Sequence, residues 1–210
     1  PEGKVPAVCV LDPDGDLVAY LIRKNQATLN AYWGCYHTKM YDVHYDRADF
    51  GIIGCAVGAP FAVLIAEQLF VSGCKLLISI TSSGIIHPPQ NGAKFILIEE
   101  ALRDEGTSHH YIAPDKKSAI HPLLAKSLLT HFENADLKIS IGKSWTTDAP
   151  YRETQSAIDY AKLSGVHCVE MEAAALYAFS EVKRKDVICY ARLTNTMART
   201  EGDFEKGEEM

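Results

Sequence analysis

Apolar runs that are continuous rather than alternating recur along this 210-residue chain, and stretches with helical spacing separate them. Phe50 to Val57 reads Phe-Gly-Ile-Ile-Gly-Cys-Ala-Val, and Val5 to Val10, Lys75 to Ile80, Lys94 to Glu99, Leu137 to Ile141 and Asp186 to Leu193 have the same character. A strand without a polar face needs cover on both sides, which restricts such a sheet to helix layers above and below it. Helical stretches fall between the runs. Pro60 suits a first helical position, Phe61, Leu64, Ile65 and Leu69 follow at helical spacing, and Gly73 closes the segment. Further helices are expected over Pro122 to Phe132, Glu153 to Leu163 and Glu170 to Lys183, while Leu17 to Ile22 fits a short helix or a strand equally well. The expected fold is α/β: a single-domain, three-layer αβα sandwich over residues 1–210 with a mostly parallel central sheet. A C-terminal helix is read as not included, and the acidic stretch Glu201 to Glu208 reads as a solvated loop or the start of a helix.

In such sheets ligands bind beyond the carboxyl ends of the strands. Polar, hydroxyl-rich segments fall there: an expected turn Thr81-Ser82-Ser83-Gly84, a loop Gly142 to Arg152, and Thr194-Asn195-Thr196. Their convergence on one edge favours an enzyme or small-molecule site over a scaffold. The formal net charge of −6 excludes a general tracker of nucleic-acid phosphates. No apolar run approaches the ~18 residues of a membrane span. The six cysteines form no CxxC pair and lie mostly in apolar runs, as free buried thiols of a reducing compartment do, and the scattered histidines suggest no metal site. A soluble, cytoplasmic protein is expected.

The segment Val169-Glu170-Met171-Glu172-Ala173-Ala174-Ala175-Leu176 places two carboxylates at the mouth of a helix that is apolar nearly all round. In a first helical turn both would be favoured by the macrodipole, and helix stabilisation alone explains acidic residues there. The other reading is an anionic acceptor for a ligand with paired hydroxyls, such as a ribose, because a buried carboxylate needs donors.

Three segments, taken together, resemble the purine/uridine nucleoside phosphorylase family, its uridine phosphorylase branch most of all. They are the Val169 segment, Thr146-Thr147-Asp148-Ala149-Pro150-Tyr151-Arg152-Glu153-Thr154, and Arg103-Asp104-Glu105-Gly106-Thr107-Ser108-His109-His110-Tyr111. The resemblance implies a single α/β domain assembled as a homo-oligomer, a dimer or a trimer of dimers. It also implies cleavage of the N-glycosidic bond of a nucleoside, with inorganic phosphate as co-substrate and no other cofactor. It assigns Glu172, with Met171 and Glu170, to the ribose, and Ser82, Ser83 and Gly84 to the pocket of the phosphate or other nucleophile. It assigns Pro150 and Tyr151 to the base, and Arg152 and Asn195 to catalysis. Asn195 stands where purine-specific relatives carry an acid, so a pyrimidine nucleoside is expected.

The resemblance fails at the phosphate. The family's Gly-Asp-Pro followed two residues later by arginine is here Leu11-Asp12-Pro13-Asp14-Gly15, Ser79 stands for a second arginine, and no arginine occurs between Ala27 and Trp33 for the third. Asp14 and Asp16 bring negative charge instead. Hydrogen bonds to charged groups contribute about 1.5–3 kcal/mol each, so the loss weighs against phosphate. Three functions stay open: a phosphorylase, a hydrolytic nucleosidase that uses water, and a nucleoside- or base-binding protein without turnover.

Overall fold

The computed structural model describes residues 5–35, 37–89, 91–134 and 138–196. Asp12 ends β1 (Val8–Asp12), and its carboxylate accepts the Val18 amide at 2.9 Å. Together with Gly15 in the left-handed region (φ 82°), this starts a helix, α1 (Asp16–Arg23), which settles the ambiguous Leu17–Ile22 stretch. A side chain at position 15 would find no room, since a Cβ there would lie 2.6 Å from Cys55 Sγ. After α1 come β2 (Ala27–Leu29), β3 (Met40–Tyr45), β4 (Ala48–Gly54) and α2 (Ala59–Val71).

The chain continues through β5 (Leu76–Ile85), β6 (Phe95–Asp104), the short β7 (Ser118–Ala119) and α3 (Pro122–Asn134). It then forms β8 (Ile139–Thr147), α4 (Gln155–Leu163), β9 (Val166–Glu170), α5 (Ala173–Lys183) and β10 (Asp186–Thr196).

The ten strands of the described residues join one sheet in the order β10-β6-β8-β9-β5-β1-β4-β3-β2, with β7 on β6. β10 also pairs with β5, so β5, β10, β6, β8 and β9 close into a circuit while β1, β4, β3 and β2 extend from it as an open wing. Closure removes edges that would otherwise expose unpaired backbone. The α/β class stands, with a sheet that is mixed. The long ladders are parallel, β10 on β5 and β6 on β8, whereas β2–β3, β3–β4, β5–β9, β6–β7 and β6–β10 are antiparallel.

Helices cover both faces. α2 and α5 pack with Leu11, Leu77, Ile98 and Val187 in the main core. On the other face Val18 and Leu21 of α1 meet Val10 and Ile52, and Ala161 of α4 meets Trp145 and Val166. Both α2 and α5 are apolar around most of their circumference because both are interior: every residue of α5 from Ala173 to Ser180 is buried. Tyr177 reconciles its hydroxyl with that burial by donating to the Ile98 carbonyl (2.6 Å) and accepting the Cys189 amide (3.0 Å).

Several sequence expectations change. Thr81-Ser82-Ser83-Gly84 is strand, not turn, because β10 holds β5 in register from Asp186 beside Leu76 to Thr196 beside Ile85. β8 likewise runs through Gly142 to Thr147, where a loop was expected, and Arg103 and Asp104 end β6. β2, β3, β7 and β9 were not anticipated. The acidic-mouthed helix begins at Ala173, so Glu170 ends a strand and Glu172 is the residue before the helix. α4 begins at Gln155, with the Thr154 hydroxyl accepting the Ala157 amide at 3.3 Å. Five cysteines are buried and free, but Cys55 is exposed at positive φ. Leu137 and the Glu201–Glu208 stretch lie outside the described residues.

Candidate functional site

At the β9–α5 junction the two glutamates have different employment. Oε1 of Glu170 accepts the hydroxyls of Ser144 (3.0 Å) and Thr146, and its Oε2 accepts the amides of Glu172 and Ala173, both at 2.7 Å. Thr146 Oγ1 in turn accepts the Ala174 amide at 2.9 Å. A carboxylate offers about four lone-pair sites, and here all are taken by the protein. Glu170 therefore satisfies the orphan amides that open α5, a buried form of helix capping.

The Glu172 carbonyl accepts the Leu176 amide at 3.1 Å and so opens α5, but its side chain makes no cap there. Its side chain crosses to the start of α2, where Oε1 accepts the Gly58 amide at 2.7 Å, and to β5, where Oε2 accepts the Thr81 hydroxyl at 3.0 Å. Gly58 presents that amide from a left-handed backbone (φ 95°), a conformation glycine adopts without strain. Each Glu172 oxygen accepts one hydrogen bond, so half of its acceptor capacity is unused among the described residues. One residue further along β5, the Ser82 amide donates to Asp14 Oδ2 at 2.9 Å, which brings the β1–α1 turn against the same strand.

This corner is acidic. Burial, and then the charge of Glu170, push the Glu172 carboxyl up from 4.5 to about 8, against the pull of the Gly58 and Thr81 donors; Asp14 adds to the rise. Burial also raises Glu170, opposed by Thr146, the two α5 amides and Ser144. Asp12 is raised by burial and by Asp14, with the Val18 amide acting in the opposite direction. Among the described residues no ion pair involves Asp12, Glu170 or Glu172.

Thr81, Gly58 and Asp14 thus join the site beside the anticipated residues. Thr81 faces inward because Leu77, Ser79, Thr81 and Ser83 are the buried alternation of β5, a parity that appears only once this segment is strand. Ser83 is buried, and its hydroxyl donates to the Arg192 carbonyl at 2.9 Å; Ser82 is half-buried, and Gly84 sits between Val169 of β9 and Asn195 of β10. Met171 is half-buried between the two glutamates. The backbone of Asn195 belongs to β10; its side chain lies outside the described residues. Pro150, Tyr151 and Arg152 follow β8 in a turn closed by the Arg152 amide on the Ala149 carbonyl, with Tyr151 79% exposed, so this flank faces solvent.

The Arg103–Tyr111 segment has a structural occupation. Arg103 Nε donates to Ser108 Oγ (2.8 Å), Nη1 to the carbonyls of Ala113 (2.6 Å) and Lys116 (2.9 Å), and Nη2 to that of Ile112 (3.1 Å). Glu105 receives the Ser108 amide at 2.9 Å, and the Gly106 amide donates to Asp148 at 2.9 Å, tying this loop to the end of β8. A lysine cannot reproduce the guanidinium fork. Arg103→Lys is expected to speed hydrogen exchange of the amides from 108 to 116 by about tenfold or more while β5 and β10 exchange as before. Unchanged protection in that loop would show the fork to be dispensable.

The family model of the Phosphorylase superfamily matches residues 7–210 of the chain. A guanosine phosphorylase of Halorubrum lacusprofundi is 25% identical over 72% of this chain and 64% of its own length. A uridine phosphorylase of Thermococcus kodakarensis is 23% identical over 74% and 62%, respectively. An uncharacterised protein of Acanthamoeba polyphaga mimivirus is 30% identical over 66% and 53%. The chain therefore spans between about half and two thirds of the length of these relatives. Among solved structures, uridine phosphorylase from Vibrio fischeri superposes with a TM-score of 0.77 at 22% identity, covering 90% of this chain and 80% of that one. Purine nucleoside phosphorylase from Toxoplasma gondii in complex with immucillin-H gives 0.81 at 15% identity, over 96% and 82%. These likenesses share the fold, and the family match takes in nearly every residue: the chain belongs to the Phosphorylase superfamily.

Proposed function

We propose that this chain is a nucleoside-cleaving enzyme that holds the sugar at Glu172 and breaks the N-glycosidic bond. One observation carries the reading. Of two adjacent buried carboxylates, Glu170 has all four acceptor sites filled, whereas Glu172 has two open, one on each oxygen, as a vicinal diol requires. Met171 packs against the sugar face, and Glu170 fixes the α5 start on which Glu172 rides. As the C1′–N bond stretches, the sugar becomes oxocarbenium-like, and hydrogen bonds from its hydroxyls to an ionised Glu172 strengthen with that positive charge. The base lies toward Pro150, Tyr151, Arg152 and Asn195. A pyrimidine is proposed because the asparagine amide can donate a hydrogen bond but is not an acid that could protonate a purine. Assembly is proposed as a homo-oligomer, a dimer or a trimer of dimers.

The test is base release from uridine, cytidine, guanosine and inosine, followed by chromatography, alongside nucleoside binding by calorimetry. Wild type is expected to release base, fastest from a pyrimidine nucleoside. Glu172→Ala and Glu172→Gln are expected to lose about 100-fold in kcat/KM, the worth of two hydrogen bonds to a charged group shared with reorganisation. Circular dichroism confirms the fold of each variant. Undiminished cleavage in a folded Glu172→Gln would remove Glu172 from the sugar. Tight nucleoside binding without product would make the chain a binding protein.

A further inference from the structure

At the far end of α5 from Glu172 the surface is concave again. The end of this helix and the start of β10 meet the β7–α3 junction around a hollow of about 600 Å³, floored by Ile120 and Pro122 and ringed by Lys117, His121, Arg184 and Lys185. Eleven helical residues, about 16 Å at 1.5 Å per residue, separate it from the glutamate corner. Positive charge is in surplus here, in a chain whose formal net charge is −6. Glu100 is shared by Lys117 (2.9 Å) and Lys143 (3.3 Å), so one carboxylate answers two ammonium groups. Glu181 is engaged by Lys116 at 3.0 Å. Asp186 is the remaining carboxylate of the lining, and among the described residues neither Arg184 nor Lys185 forms an ion pair.

Arg184 also sits on an unfavourable backbone. It is left-handed (φ 53°) at the point where helices commonly end on glycine, and any residue with a Cβ is strained there. The end of α5 does not use the guanidinium. The Ser180 carbonyl accepts the Lys185 amide at 3.1 Å, and the Ser180 hydroxyl donates to the Lys185 carbonyl at 2.6 Å. The helix dipole favours a cation at this end, but Lys183 already supplies one in the last turn. Lys185 is steadied in its turn, with Nζ 5.7 Å from the centre of the Phe70 ring. A strained arginine beside a lysine without an ion pair points to a group outside the chain that both would hold.

We propose that this hollow binds a phosphate monoester, its dianion between Arg184 and Lys185 and its organic body over Ile120 and Pro122. The guanidinium fork with the ammonium groups of Lys117 and Lys185 matches a phosphate dianion in charge and geometry. A volume of about 600 Å³ is that of a small-molecule pocket and leaves room for an organic body beside the phosphate. The site stands independently of the sugar reading at Glu172.

The probes are uridine 5′-monophosphate and ribose 5-phosphate, compared with inorganic phosphate and uridine by calorimetry and by amide shifts in nitrogen-15 NMR. Both monoesters are expected to bind about tenfold tighter than inorganic phosphate, which has no body to lay on the apolar floor. The largest shifts are expected at residues 117–121 and 184–186, unchanged in Glu172→Ala, with none there from uridine. Arg184→Gly is expected to raise the thermal midpoint, since glycine takes this backbone without strain, and to weaken monoester binding about tenfold or more, the worth of one hydrogen bond to a charged group. A variant more stable than wild type that has lost the ligand separates binding from folding. Lys185→Gln is expected to weaken binding in the same direction. Monoester shifts confined to the surroundings of Gly58 and Thr81, unchanged binding in Arg184→Gly, a lowered midpoint in that variant, inorganic phosphate or uridine binding as tightly as the monoesters, or no monoester binding each overturns the proposal.

Discussion

Glu170→Ala is expected to cost about 3–5 kcal/mol of stability, the range found when one partner of a buried charged network is removed, and so to consume much of a typical domain's 5–15 kcal/mol. The variant strips four donors of their acceptor at once: the Glu172 and Ala173 amides and the Ser144 and Thr146 hydroxyls. Water cannot replace it, because Ser144, Thr146, Glu172 and Ala173 are all at most 1% exposed. α5 would then begin with unsatisfied amides inside the main core. Glu170→Gln retains one carbonyl oxygen and turns an NH2 toward two of the donors, and is expected to lose about half as much. Urea unfolding followed by far-UV circular dichroism reads both. A loss below ~1 kcal/mol in Glu170→Ala would show that α5 opens without this cap.

The α/β class was legible because strands buried on both faces leave unbroken apolar runs. The strand lengths were not. The second halves of β5 and β8 carry Thr81, Ser83, Ser144 and Thr146, residues that locally favour turns. They are strand because their hydroxyls point inward to partners distant in sequence: Thr81 and Glu172 are 91 residues apart, and Ser144 and Glu170 are 26 apart. No local window holds that information. β3 was hidden for a different reason, since Tyr41, Asp42, His44 and Tyr45 leave it with only Met40 and Val43 buried. The site was legible in part. The pair of glutamates was recognisable, yet its division of labour depends on a one-residue matter, that the helix begins at Ala173 and not at Glu170. With Glu170 on a strand end, its carboxylate faces the amides two and three residues ahead. Glu172, at the boundary itself, is directed out to Gly58.

That boundary also gives Glu172 a titration to observe. Its carboxyl, raised from 4.5 to about 8 in the folded protein, binds a proton in the native state that the unfolded chain has already released between those values. The Glu172 contribution to stability is therefore highest at the acidic end of this window, falls as pH rises from about 4.5 to 8, and is level above. The fall is a few kcal/mol, since each tenfold gain in proton affinity on folding is worth about 1.4 kcal/mol. Function runs the opposite way. The protonated carboxyl can satisfy itself by donating to Thr81 Oγ1, whose own proton then turns to the Ser82 carbonyl 3.3 Å away. The ionised form needs donors, and the diol of the proposed sugar would bring two. Nucleoside cleavage is thus expected to rise with pH, about tenfold per pH unit below 8, and to level off above it. Glu172→Gln should take the Glu172 share out of the stability slope, leaving the shares of the raised Glu170 and Asp12 carboxyls, and should leave a low, pH-independent kcat/KM. A stability slope as steep in Glu172→Gln as in wild type would assign the titration to another group. A cleavage profile in Glu172→Gln that still rises toward pH 8 would separate the sugar from Glu172, because only a carboxylate that both holds the diol and releases this proton makes one substitution abolish the cleavage slope and reduce the stability slope together.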